Sequence, residues 1–285
     1  MARILFLMMF PFMCFSQITP SEDIPVNNLL KEKENLDTKR KASYNLDEIK
    51  VRWKKAALEN CTGVPCVVTP PPPPPPPPPS FTCGTSTVKD GDGNVYETVA
   101  IVGTGITQCW TKSNLKTTKY NDGVTAIDRL TSNADWNAAT TGARTVYGDP
   151  SPVTGYVDTY GYLYNWYAAA GIITPMGSST KNICPLGWHV PTNSDWNTLI
   201  SFLGTNPWTK LKENSSLWTT PGSISGFSAR PGGFRFQFGT SLQINQVALF
   251  WGSLSEFRQI DNAGISDGMI AEKTGASIRC LKDGI

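Results

Sequence analysis

The chain is poor in histidine and poor in charge of either sign. Its 285 residues include a single histidine, His189. Zinc sites built on two or more His ligands are therefore excluded, and only one imidazole is present to serve as a general base. Twenty-five Lys and Arg face 23 Asp and Glu, a net charge of +2. Nucleic-acid binders need a clustered basic excess, so the expectation is no nucleic-acid partner. No two cysteines have C-x-x-C spacing, which speaks against structural zinc and thioredoxin-type redox chemistry. There is no G-x-S-x-G elbow. Gly103-Thr-Gly105 lacks the rest of a phosphate-loop pattern. No metal site and no cofactor are expected.

The amino terminus has the form of an export signal. Arg3 precedes the apolar run Ile4–Phe15, and Ser16 supplies a small residue before Gln17. Residues 1–16 are read as a signal peptide cleaved near Ser16. The apolar run is too short for a bilayer core of about 30 Å, and nothing later reaches the length of a transmembrane helix. Acylation at Cys14 is disfavoured by Met13, which stands where a lipoprotein signal needs a small side chain. Cys14 would leave with the signal, so Cys61, Cys66, Cys83, Cys109, Cys184 and Cys280 remain. An even count in an exported chain reads as disulfides, with 15 possible connectivities. The spacing of Cys61 and Cys66 suits a small local loop.

Residues 17–69 form a charged N-terminal segment. Asn45 is a helix cap, and Glu48 stands at the third helical position. Leu46, Ile49, Trp53, Ala56 and Ala57 then recur at helical spacing, so 46–59 is predicted helical. Its narrow apolar stripe suits a solvated stalk or self-association. Residues 70–79 are ten consecutive prolines. Such a run forms a polyproline II rod of about 30 Å. It is read as a semi-rigid spacer rather than a ligand for intracellular proline-binding modules.

Residues 80–285 hold eight of the nine tryptophans, enough apolar material for a sizeable core. Thr85–Lys89 and Val95–Ile101 flank Asp90-Gly-Asp-Gly-Asn94 and are predicted to form a hairpin. The turn starts like an EF-hand loop, but Val95 stands where that loop needs glycine. A short helix is predicted over 133–139. A longer one starts at the Thr192 cap, carries Trp196, Leu199, Ile200 and Leu203 on one face, and stops at Gly204. Gly275–Lys282 reads as a final strand. The predicted class is α+β with few helices and many loops.

His189 lies just before the longer helix and is read as a packed, hydrogen-bonded side chain. Tyr156, Tyr160, Tyr162, Tyr164, Trp166 and Tyr167 crowd one segment; Trp208, Trp218, Phe234, Phe236, Phe238, Phe250 and Trp251 crowd another. Exposed aromatics stack on sugars or anchor protein partners, whereas buried ones build core. Phe234, Phe236 and Phe238 alternate at strand spacing, which predicts one shared face with Gln237 on the other.

Several segments occur in a telling order. They are Gly93–Tyr96, Cys109–Leu115, Lys119–Gly123, Tyr162–Ala168, Cys184–Thr192, Asp195-Trp196, Gly226–Arg235, Phe250-Trp251 and Ser277–Cys280. Together, over about residues 81–283, they resemble the Fibrobacter succinogenes major paralogous domain family. The resemblance implies an exported bacterial domain. Gly187–Thr192 with Asp195-Trp196, and the closing Ile278-Arg-Cys280, are also similar to the C-type-lectin-like fold and its formylglycine-generating branch. The implied domain has short twisted antiparallel sheets, preceded by the stalk and rod. The same resemblance implies disulfides Cys184–Cys280 and Cys83–Cys109. A structural role for Cys280 leaves no place for the reactive cysteine pair of the formylglycine-generating enzymes.

In lectin-like folds the segments before the last strand form the ligand face. By that analogy Gln237, Leu242, Asn245, Phe257 and Arg258 are candidate ligand-binding residues, together with the aromatics Trp208, Trp218 and Phe236. The chain departs from the family between Ser255 and Gly275, which bears on this face. The expected function is a non-catalytic extracellular or cell-surface binding module for a glycan or surface protein. The alternatives are a structural component of the cell surface assembled through helix 46–59, and an enzyme of the formylglycine-generating type.

Overall fold

A computed structural model describes residues 80–174, 181–222 and 225–284. The expected signal peptide, helix 46–59, polyproline rod and Cys61–Cys66 loop lie outside the described residues. The first half of the domain contains β1 (Thr87–Lys89), β2 (Val95–Gly103), β3 (Ile106–Thr111), β4 (Asp128–Arg129), α1 (Asn133–Ala138), β5 (Ala143–Thr145), α2 (Tyr156–Tyr160), β6 (Leu163–Tyr164) and α3 (Trp166–Ala169). The second half contains β7 (Trp188–His189), α4 (Asn193–Leu203), α5 (Pro207–Leu211), β8 (Phe234–Arg235), β9 (Ser241–Leu242), β10 (Ala248–Trp251), β11 (Glu256–Ile260), β12 (Ile265–Met269) and β13 (Leu281–Lys282). This is a mixed α/β domain with short helices and small sheets. Among the described residues the largest sheet runs β1-β2-β3-β13-β7, and all its pairings are antiparallel.

The predicted β1–β2 hairpin is present. Asp90 closes its turn: Oδ1 accepts from the backbone N–H groups of Asp92 and Asn94, and Oδ2 from the Tyr96 hydroxyl and the Asn94 amide. Its lone pairs are spent on the turn, so the EF-hand resemblance is a local hairpin device. Strands β2 and β3 send side chains to both sides of the sheet. Tyr96 and Cys109 face one core cluster, and Ile101, Ile106 and Trp110 face a second. A period of two places successive side chains on opposite sides, so this sheet divides the two cores.

Helix α4 covers the second core. Thr192 and Asp195 form a capping box, in which the Thr192 hydroxyl accepts from Asp195 N–H and the Asp195 carboxylate accepts from Thr192 N–H. Gly204 ends the helix as predicted. Trp196, Leu199 and Leu203 are buried against Ile106 and Trp110. Each such side chain contributes roughly 1.5–3 kcal/mol. The remaining face, Asn193, Ser194, Asn197, Thr198 and Ser201, stays at the surface.

The expected regular strand over 275–282 is corrected. Only Leu281–Lys282 is strand; before it, Gly275, Ala276 and Ser277 each bridge to something different. Gly275 pairs with Arg235, Ala276 with Tyr164, Ser277 with Phe250, and Leu281 with Trp110 and His189. In this short run the chain meets a strand of every sheet described and is buried from Thr274 to Leu281. A segment that crosses sheets cannot keep one ladder, which is why a strand pattern in the sequence becomes an irregular central strut.

The strut is held by charge-assisted hydrogen bonds. Arg279 is fully buried. Its guanidinium donates to Asn114 Oδ1 at 2.7 Å and to the carbonyls of Thr111, Phe227 and Ser228 at 2.8 Å, and it stacks on Phe227. Burial pushes its pKa down to about 9, which leaves it charged at neutral pH. Arg235 plays the same part nearby. It donates to the carbonyls of Gly239, Leu130 and Thr131 and to Asn133 Oδ1, with its charge over the Trp136 ring. Disulfides Cys83–Cys109 and Cys184–Cys280 are both formed, and the second closes a 96-residue separation.

Much of the tyrosine crowd is core. Tyr156 and Tyr164 are buried, as are Tyr96 and Tyr120. Burial raises the pKa of all four, and Asp90 adds to the shift at Tyr96. Unfolded tyrosine titrates near 10. The stability these phenols provide is complete below about pH 10 and is lost as pH rises toward their folded values. Phenolate absorbance should therefore appear together with cooperative loss of the near-ultraviolet dichroism above that pH. Independent titration of every tyrosine near pH 10 with the fold intact would contradict the burial.

Candidate functional site

An open groove of about 690 Å³ lies between the β2–β3 turn and α4. Thr104, Gly105 and Ile106 form one wall; Asn193, Ser194, Asn197, Thr198, Ser201 and Phe202 form the other. The wall from α4 follows from helix periodicity. Positions 194, 197, 198 and 201 recur at i, i+3, i+4 and i+7, opposite the buried Trp196–Leu199–Leu203 face. All are neutral and hydrogen-bonding. Phe202, 42 % exposed, closes the end of the row. Its ring lies against Gly103, where an added Cβ would sit 2.2 Å from Phe202 Cε2. Only glycine at 103 admits the ring in that position.

The β2–β3 turn also borders a smaller hollow of about 310 Å³, lined by Gln108, His189, Asp195, Thr198 and Lys282 among others. Gly105, Ile106 and Thr198 border both. His189 is set here by β7 and is partly exposed. Its Nδ1 lies 2.5 Å from Asp283 Oδ1 and its Nε2 3.4 Å from Asp195 Oδ2. Both ring nitrogens thus face carboxylates, and Asp195 is further engaged by the Thr192 hydroxyl. Cys184 and Cys280 are joined to each other and carry no thiol. Among the described residues there is no group of three or more His, Cys, Asp or Glu side chains able to hold a metal ion.

The residues expected at a ligand face are dispersed. Phe236, Gln237 and Leu242 share the β8–β9 hairpin, and Asn245 follows in the next turn, where its Oδ1 accepts from the Tyr160 hydroxyl. Phe236 and Phe238 touch edge to face at 5.4 Å and are exposed. The predicted shared face of three phenylalanines is corrected. The strand ends at Arg235, residues 236–239 form the turn, and Phe234 packs on the first core. Trp218 is also corrected: it is 2 % exposed, its indole N–H donates to the Ala229 carbonyl, and Lys212 lies over its ring. Trp208 is half-buried against the same core. Phe257 is half-buried on the first core, and Arg258, at 3 % exposure, is beneath the surface rather than on it.

The groove itself was missed in the sequence reading. Its signal was there, a run of Asn, Ser and Thr on the face of α4 opposite the apolar stripe, but any surface helix has a polar face. What makes a groove of it is the β2–β3 turn standing beside it.

The family model described as the Fibrobacter succinogenes major domain matches residues 105–282, more than half of the chain. The chain belongs to that family. The matched range contains both walls of the groove from Gly105 onward and leaves β1 and β2 outside. No curated protein and no solved structure matched. Among the described residues no helix is long and apolar enough to cross a membrane.

Proposed function

We propose that this chain is an exported, non-catalytic binding module of lectin-like type, and that the groove between the β2–β3 turn and α4 takes a saccharide. The observation that carries the reading is the row of uncharged Asn, Ser and Thr side chains ending on an exposed phenylalanine ring. Sugar hydroxyls each donate and accept, which suits amides and hydroxyls. The C–H face of a pyranose stacks on an aromatic ring. A small-molecule pocket is instead deeper and mainly apolar. Two disulfides support export to an oxidising compartment. A non-catalytic role is supported by the Cys184–Cys280 disulfide, which leaves no thiol nucleophile at either position.

The test is a glycan array probed with the purified chain and with the variants Phe202→Ala and Ser201→Trp. Phe202→Ala should weaken the best saccharide about tenfold, ~1.4 kcal/mol, and Ser201→Trp should block it while leaving the melting temperature close to wild type. Binding that survives both variants would sink the groove assignment. The exposed Phe236–Phe238 pair favours a second reading, a protein partner on the β8–β9 hairpin. Loss of binding on Phe236→Ser and Phe238→Ser alone would move the site there.

A further inference from the structure

Behind the groove wall lies a buried cation. Arg258, on β11, sits directly opposite Asp267 on β12, and its Nη1 meets that carboxylate at 3.1 Å. Its Nη2 donates to the side-chain carbonyls of Asn193 and Asn197, at 3.1 Å for Asn197. These two asparagines lie four residues apart on α4, one helical turn, and both line the groove. A guanidinium has five donors and no acceptor. The atom each amide turns toward Arg258 must therefore be Oδ1, and no alternative flip is open to either side chain. Each Nδ2 group is consequently directed away from the guanidinium, and neither has a hydrogen-bond partner among the described residues.

We infer that Arg258 is a positioning residue that fixes the Asn193 and Asn197 amides of the groove as donors, and that the groove favours saccharides carrying an acceptor oxygen without a hydrogen: the acetamido carbonyl of an N-acetylated sugar or the carboxylate of an acidic one. This rests on the groove reading above and adds the ligand class to it. A free asparagine presents carbonyl or amide as the ligand requires. Two asparagines locked by one cation present only N–H. A neutral hydroxyl can satisfy them, but it brings a proton of its own that finds no acceptor at either amide. An acetamido or carboxylate oxygen brings none, so it meets both donors without leaving a proton unmatched.

The discriminating variant is Asn197→Asp. Aspartate still accepts from Arg258, and better, so the fold is retained. The outward donor becomes an acceptor with a negative charge. Three oligosaccharide probes are titrated by calorimetry against wild type and variant: N-acetylhexosamine, uronic acid and neutral hexose. Wild type should bind the first two at least about tenfold more tightly than the third. In Asn197→Asp the melting temperature should hold or rise while both preferences collapse, the uronate more completely because of charge repulsion. Equal affinity of wild type for all three probes, blocked by Ser201→Trp, would overturn the donor-surface inference and leave the groove reading standing. Unchanged selectivity in Asn197→Asp would overturn the inference likewise. No binding of any probe would overturn both.

Discussion

Arg279→Leu should destabilise the domain by about 3–5 kcal/mol, because four acceptors lose their buried guanidinium donor. Four acceptors, Asn114 Oδ1 and the carbonyls of Thr111, Phe227 and Ser228, depend on that one guanidinium. Leucine fills much of the volume but leaves all four unsatisfied, each at a cost of about 1–3 kcal/mol before relaxation. Native domains hold only about 5–15 kcal/mol in reserve, so the variant should be largely unfolded at physiological temperature. Arg279→Lys keeps a charge but has neither the reach nor the planar fork to serve acceptors on two separate segments, and should lie close to leucine. Urea denaturation measures both. A loss below about 1 kcal/mol for leucine would mean that the strut is held by packing alone.

Opening Cys184–Cys280 should cost more than opening Cys83–Cys109. The separations closed are 96 and 26 residues. Chain entropy in the unfolded state then assigns about 4.7 and about 3.5 kcal/mol respectively. The longer bridge also ties the strut to the segment leading into β7, so its loss loosens the place where four sheets meet. The paired serine variants, compared by thermal melting, should fall in that order. The reverse order would show that native-state packing around Cys109, not loop closure, dominates.

Arg235 and Arg279, which fall in two of the segments that carry the family resemblance, are both structural. Polar residues in a motif invite a functional reading, yet each here is buried and spends its donors on internal carbonyls and side-chain oxygens. Much of the architecture was legible in the sequence because its causes are local. The Asp90 turn, the Thr192 cap and the Gly204 stop each act within a few residues. Both disulfides followed from the family resemblance. The strut was not legible, because its partners at 110, 164, 235 and 250 are set by tertiary contacts that no periodicity records. The ligand face failed for a related reason. Exposure of Trp218 and Arg258 depends on what packs over them, and a strand that stops at Arg235 turns Phe236 away from Phe234. The groove depends on a turn and a helix more than 80 residues apart.

The central claim is that saccharide binds between the β2–β3 turn and α4. Its most direct measurement is residue-resolved chemical-shift mapping of the labelled chain titrated with the tightest oligosaccharide from the array. The account predicts saturable shifts at Thr104, Gly105, Asn197, Thr198, Ser201 and Phe202, with Phe236–Leu242 unmoved. Shifts confined to the Phe236–Leu242 hairpin, with the α4 face silent, would contradict it.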